Sequence, residues 1–148
     1  MRDGAGVYRV VNAPRLRSQS FALTARFAQG EVLEPRVVAP TMATAKHGDV
    51  AALDAVATYD PENGRVAVFV VNRHPSESVA FSTDLRYFGG VELVEATTLG
   101  GEDLFAVNSV EHPDRVVPKG CDSAKVVDGA LEAELPPASW SMFVLQTS

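Results

Sequence analysis

Hydrophobic residues in this chain come in short bursts whose spacing changes once. In "SQSFALTARFAQG" (18–30), Phe21, Leu23 and Phe27 fall at helical spacing with almost no polar face between them. Ser18 or Ser20 can cap the first N–H groups, and Gly30 can end the helix in the left-handed conformation. A helix of about ten residues is marginal alone in water, so its apolar side needs a partner. From Glu31 onward the bursts are rich in Val, Thr, Phe and Leu and are separated by Pro, Gly, Asn and Asp. That is the rhythm of an all-β domain, with strands expected at 31–38, 53–60, 65–72, 78–84, 91–98, 124–127, 130–134 and 141–146. "DPENG" (60–64) joins two of them as a hairpin with a bulged loop, and "DG" (128–129) joins two more as a two-residue turn.

One strand raises a packing problem. In "LDAVATYD" (53–60), Leu53, Ala55, Ala57 and Tyr59 alternate with Asp54, Val56, Thr58 and Asp60, which gives one buried face and one mixed face. In "RVAVFVVNRH" (65–74) both faces are apolar, and then Asn72-Arg73-His74 stops the run. A sandwich buries one face of each strand on the opposing sheet. The second face calls for a third layer, expected from another domain or a partner chain. The helix face and the outer face of "VAVFVV" together predict several hundred Å² of unburied apolar surface. At ~25 cal/mol per Å² that is on the order of 10 kcal/mol, enough to drive self-association, so a homo-oligomer is expected.

Composition narrows the class. The 148 residues make one ordinary domain, and 46% hydrophobic with 22% charged residues is ordinary for a soluble fold. The net charge of -6, with 13 scattered basic residues, disfavours nucleic acid. The longest apolar run is far short of the ~20 residues that span a bilayer, so no membrane is expected. No apolar segment follows Met1-Arg2-Asp3-Gly4, so no secretory signal is expected. Cys121 is the sole cysteine, which fits a reducing, cytoplasmic compartment; in Lys119-Gly120-Cys121-Asp122 it reads as an incidental loop thiol.

Candidate chemistry is sparse. Asn72-Arg73-His74 could hold an anion, but Pro75 forbids continuing a central strand and the three read as a polar exit. His47-Gly48-Asp49 and His112-Pro113-Asp114 each pair an imidazole with a carboxylate, short of the three or four ligands a zinc site needs. No metal and no cofactor are expected. Trp140, in "PPASWSMFVLQ", is the one residue singled out for sugar contact, since sugar-binding modules stack pyranose or furanose faces on exposed rings. A core plug is the competing reading, because Phe143 and Leu145 oppose Met142 and Val144 just after it.

Five strings then add a family. "VLEPRVVAPT", "HGDVAALDAVATYDPENGRVAVFVVNR", "DLR", "EDLFAVNSVEHPDRVVP" and "LPPASWSMFVL" resemble, in order and spacing, the C-terminal region of family 51 glycoside hydrolases, the α-L-arabinofuranosidases. The resemblance covers roughly residues 27–148. It implies a jelly-roll-like antiparallel β-sandwich with one short N-terminal helix, packed against a catalytic (β/α)8 barrel that this sequence does not contain. Residues 1–30 are then a poorly matched segment plus the last barrel helix, and 31–148 the sandwich. It further implies that the sandwich takes one strand from before the barrel, and that the "KHGDV" linker contacts the barrel.

The family's chemistry is retaining hydrolysis by two glutamates, the acid/base following an Asn. The four Asn residues here precede Ala13, Gly64, Arg73 and Ser109, so no catalytic residue carries over. Acidic pairs such as Glu92/Glu95 and Glu102/Asp103 read as solvated surface. The expected function is a non-catalytic domain serving stability and assembly in intracellular breakdown of arabinose-containing oligosaccharides. The alternative is a carbohydrate-binding module for arabinose-containing polysaccharide.

Overall fold

The computed structural model describes residues 23–35, 38–100 and 118–148. The expected helix start at 18–22, the pairs Glu102/Asp103 and His112/Asp114, and most of "EDLFAVNSVEHPDRVVP" lie outside them. Strands follow in the order β1 (Glu31–Leu33), β2 (Thr41–Thr44), β3 (Gly48–Ala51), β4 (Leu53–Asp60), β5 (Arg65–Asn72), β6 (Val79–Asp84), β7 (Val91–Gly100), β8 (Lys119–Gly120), β9 (Lys125–Val127), β10 (Ala130–Leu135) and β11 (Ser139–Thr147). A large antiparallel sheet, β1-β4-β5-β11-β7-β8, faces a small one, β6-β10-β9. β2 and β3 form a separate hairpin. The all-β antiparallel sandwich is as expected.

The core follows from alternation. From β4 come Leu53, Ala55, Ala57 and Tyr59, from β5 Val66, Val68 and Val70, and from β11 Phe143 and Leu145. They meet Leu131, Ala133 and Leu135 of β10 and Phe81 of β6. Phe81 stacks on Phe143 with ring centres 6.1 Å apart. Sandwich packing needs this interdigitation from both inner faces.

The two expected hairpins form in the expected register. Asp60 opposes Arg65 around residues 61–64, and Val127 opposes Ala130 around Asp128-Gly129. Asp128 and Gly129 both have positive φ (49° and 78°), the turn whose twist matches flanking strands.

Three expectations need correction. β1 stops at Leu33 rather than running to residue 38, since Pro35 has no N–H for a ladder. The hairpin β2–β3 was not anticipated, because each arm is only 4 residues and carries no alternation of bulky apolar side chains. The third layer is not foreign: residues 23–27 are helical, and Phe27, with Leu23 and Ala28, packs on Ala67 and Phe69 of β5 and Met142 and Val144 of β11. Helix and strand, each read as lacking a partner, cover one another. Gly30 permits this return. Its φ is +86°, and a Cβ there would strike the Tyr59 carbonyl oxygen, so the chain can drop from the helix directly onto the edge of β4.

Between β6 and β7 lies a 3-10 turn, Arg86–Phe88. Arg86 grips Asp84 through Nε (2.9 Å) and Nη2 (2.6 Å), and the guanidinium hydrogen bond holds the Asp84 carboxyl down to about 2. A depressed carboxylate contributes stability above its unfolded value and loses it as pH falls through the folded one. For Asp84 that window runs from 3.8 down to about 2. Asp84→Ala is expected to flatten the acid limb of a urea-midpoint against pH curve in that window. The pair is exposed, so the change is small.

Candidate functional site

Between the sheets lies a cavity of about 210 Å³. Its floor is the inner face of β4 and β5, with Leu53, Ala55, Ala57, Val66 and Val68. One wall is made by Leu33, Glu34, Pro35 and Val38. The other is five successive residues of β6, Ala80 to Asp84. Side chains of a strand alternate between faces, so a cavity lined by both parities runs along the strand's main-chain edge. Among the described residues that edge is unpaired, because β6 pairs with β10 and ends its sheet. The geometry is a slot with an apolar floor and, among the described residues, an unpaired ladder along one side. Unpaired strand edges of this kind are templates for adding another strand.

At the end of β5 the polar trio is fully engaged. Asn72 is 1% exposed. Its Nδ2 donates to the carbonyls of Glu77 (3.0 Å), Leu135 (3.1 Å) and Pro136 (2.9 Å), sharing two hydrogens among three acceptors. Its Oδ1 accepts the His74 N–H at 3.0 Å. Arg73 Nη2 pairs with Asp54 Oδ2 at 2.7 Å. His74 Nδ1 accepts the N–H groups of Ser76 and Glu77. The trio is the strand's exit, with Asn72 stapling β5 to the chain leaving β10, and it is not an anion site.

Trp140 lies on the outer face of β11, opposite Val71 and Leu99. Its ring is half-buried, 6.1 Å from that of Phe69, at the rim of the cluster under the helix. Beside it Val56 and Val71 remain exposed, at 42% and 38%. His47 sits in the exposed β2–β3 turn, where its N–H donates to Thr44 Oγ1. Cys121 contacts Ser123 Oγ at 3.5 Å. The family resemblance implied a borrowed strand but gave no place for it, since a missing neighbour leaves no motif; unpaired β6 could be seen only once the sheets were assembled.

Among the described residues no Asp or Glu is buried, and none of their His, Cys, Asp and Glu side chains gather into a group able to hold a metal ion. A glycosidase acid needs its pKa raised by an apolar pocket. The carboxyls that do shift move the other way. The Asn63 amide lowers Asp60 and the Arg86 guanidinium lowers Asp84. Glu95 accepts a 3.4 Å bond from Thr97 Oγ1, and Glu92 is exposed.

Two antiparallel sheets packed face to face define a β-sandwich domain. Residues 19–139 match the family described as α-L-arabinofuranosidase C-terminal domain, and the chain belongs to that family. It is 38% identical over 124 residues to an exo-α-(1→6)-L-arabinofuranosidase of Bifidobacterium longum, covering 82% of this chain and 24% of the relative. It is 34% identical over 122 residues to an intracellular exo-α-(1→5)-L-arabinofuranosidase of Acetivibrio thermocellus, with the same shares. A solved structure of AbfB, a family 51 α-L-arabinofuranosidase from Bifidobacterium longum, superposes with a TM-score of 0.77 at 31% identity, over 84% of this chain and 24% of that one. The chain thus spans about a quarter of the length of the curated relatives it matches.

Proposed function

We propose that this chain is the non-catalytic C-terminal sandwich of an α-L-arabinofuranosidase acting on arabinose-containing oligosaccharides, and that it stabilises and assembles that enzyme. The observation that carries the reading is the slot beside β6: an apolar-floored gap along a strand edge that is unpaired among the described residues can be completed by chain from elsewhere. The strand preceding the catalytic barrel is the proposed occupant. Residues 1–30 are then a poorly matched segment plus the remnant of the last barrel helix and 31–148 the sandwich, so the helix roofing β5 and β11 links the two. The β2–β3 hairpin carrying His47 and Asp49 faces the barrel in this reading. Assembly into homo-oligomers uses the exposed Val56–Val71 strip. The cytoplasm is the proposed compartment, in line with the intracellular naming of relatives. No helix among the described residues is long and apolar enough to cross a membrane.

Reconstitution tests this. The chain is co-expressed with a Bifidobacterium longum relative truncated before its own C-terminal domain. The two are expected to copurify as a complex that hydrolyses a chromogenic α-L-arabinofuranoside and sediments above a one-to-one mass. The 148-residue chain alone is expected to hydrolyse nothing. Ala55→Trp fills the slot floor and is expected to abolish copurification while the isolated chain keeps its far-ultraviolet spectrum. Failure of the unaltered chain to copurify, or indifference to Ala55→Trp, overturns the reading.

The carbohydrate-binding reading is kept second because part of the Trp140 ring stays open to solvent. It places a sugar on the face of Trp140 away from Phe69. Affinity electrophoresis through arabinoxylan decides it: retardation that Trp140→Ala removes supports it, and unretarded migration ends it.

A further inference from the structure

We propose that Asn63 is a site of spontaneous deamidation, restrained in the folded chain by Asp60. Asn63 precedes Gly64 in the exposed loop between β4 and β5, and no other Asn in the sequence precedes a glycine. Succinimide formation needs the main-chain nitrogen of the following residue to attack the Asn side-chain carbon, and glycine has no Cβ to obstruct it. The fold demands that glycine. Gly64 has φ +61°, and a Cβ there would lie 2.7 Å from Thr147 Oγ1. The requirement that closes the hairpin therefore leaves Asn63 beside an unshielded nucleophile.

Asp60 opposes the attack. Its Oδ2 accepts Asn63 Nδ2 at 2.6 Å, and its Oδ1 accepts the N–H groups of Glu62 and Asn63 at 3.1 and 3.3 Å. The carboxamide is thereby held toward Asp60. In the reaction the Gly64 nitrogen loses its proton and bonds to Asn63 Cγ, while Nδ2 leaves as ammonia. Water then opens the succinimide at either carbonyl, giving aspartate or isoaspartate. Amide plus water becomes carboxylate plus ammonium, with no oxidant or reductant.

Both products damage the loop. Aspartate puts a second carboxylate where the donating amide sat against Asp60. Isoaspartate lengthens the main chain between residues whose carbonyls hold the end of β11. The Asn63 oxygen accepts Gln146 Nε2 at 2.8 Å, and the Gly64 oxygen accepts Thr147 N at 2.7 Å and Thr147 Oγ1 at 3.0 Å. Age of the molecule is thus written into the anchoring of its last strand.

The test incubates the whole chain and its variants at mildly alkaline pH and 37 °C. Peptide mass mapping with isoaspartyl methyl-transfer labelling then gives the rate at Asn63, with Asn72 as an internal control. Asp60→Ala is expected to convert Asn63 several-fold faster than the unaltered chain, and Asp60→Asn to fall between them. Gln146→Ala loosens the strand end and removes a bond to the Asn63 main-chain carbonyl, but leaves the Asn63 side-chain carboxamide on Asp60, and is expected to match the unaltered chain. Circular dichroism verifies the fold of each; if Asp60→Ala unfolds, Asp60→Asn decides. No conversion at Asn63 in any variant, or one rate for all folded variants, overturns the proposal.

Discussion

Asn72→Ala is expected to lower the stability of the domain by about 3–5 kcal/mol, because each buried acceptor left without a donor costs on the order of 1–3 kcal/mol. The carbonyls of Glu77 and Leu135 lose the amide donor, the Pro136 carbonyl keeps only the Ser139 hydroxyl at 2.6 Å, and the His74 N–H loses its acceptor. Two of the three carbonyls are only part-buried, so water recovers some of the loss. A domain this size has roughly 5–15 kcal/mol in total, so the variant stands near the edge of folding. The thermal midpoint is expected to fall by roughly 10 °C or more. Asn72→Asp orders the mechanism. It keeps the shape but turns a carboxylate toward three carbonyls, so it is expected to be worse than alanine at neutral pH. A midpoint shift under about 3 °C for Asn72→Ala would show that the staple between β5 and the end of β10 contributes little.

The second large effect concerns the roofed face. Phe69→Ala is expected to cost about 3–4 kcal/mol, in the range for emptying a buried Phe site. Phe69 is 5% exposed although it points away from the sandwich core, and the helix carrying Phe27 is what covers it. Removing its ring also uncovers the side of Trp140 that faces it. Trp140 is the sole tryptophan, so its emission is expected to shift to the red, a readout that generic destabilisation of a still-folded chain would not give. Phe27→Ala and Phe69→Ala are expected to be non-additive by at least about 0.5 kcal/mol, since both open the same cluster. Additive costs with unchanged emission would mean the helix does not rest on β5.

Legibility followed the range of the interaction. β4, β5 and the two hairpin turns were readable to the residue, because alternation and turn chemistry are local. β2, β3 and β8 were not, since strands of 4, 4 and 2 residues take their definition from the partner they pair with. Asn72 was read as a strand exit; its four hydrogen bonds reach residues up to 64 positions away, and no local pattern announces them. The helix face and the second face of β5 were read as two faces each lacking a partner, and in the fold each covers the other.

The sequence by itself determined the all-β class, the inward and outward faces of β4, β5 and β11, and the family, because periodicities and long strings survive without coordinates. Tertiary structure alone decided which apolar faces meet, and so that the second face of β5 is covered by residues 23–28 of the same chain. It alone showed that, among the described residues, β6 ends its sheet beside a cavity, since a strand's neighbours are set by chain closure over long separations.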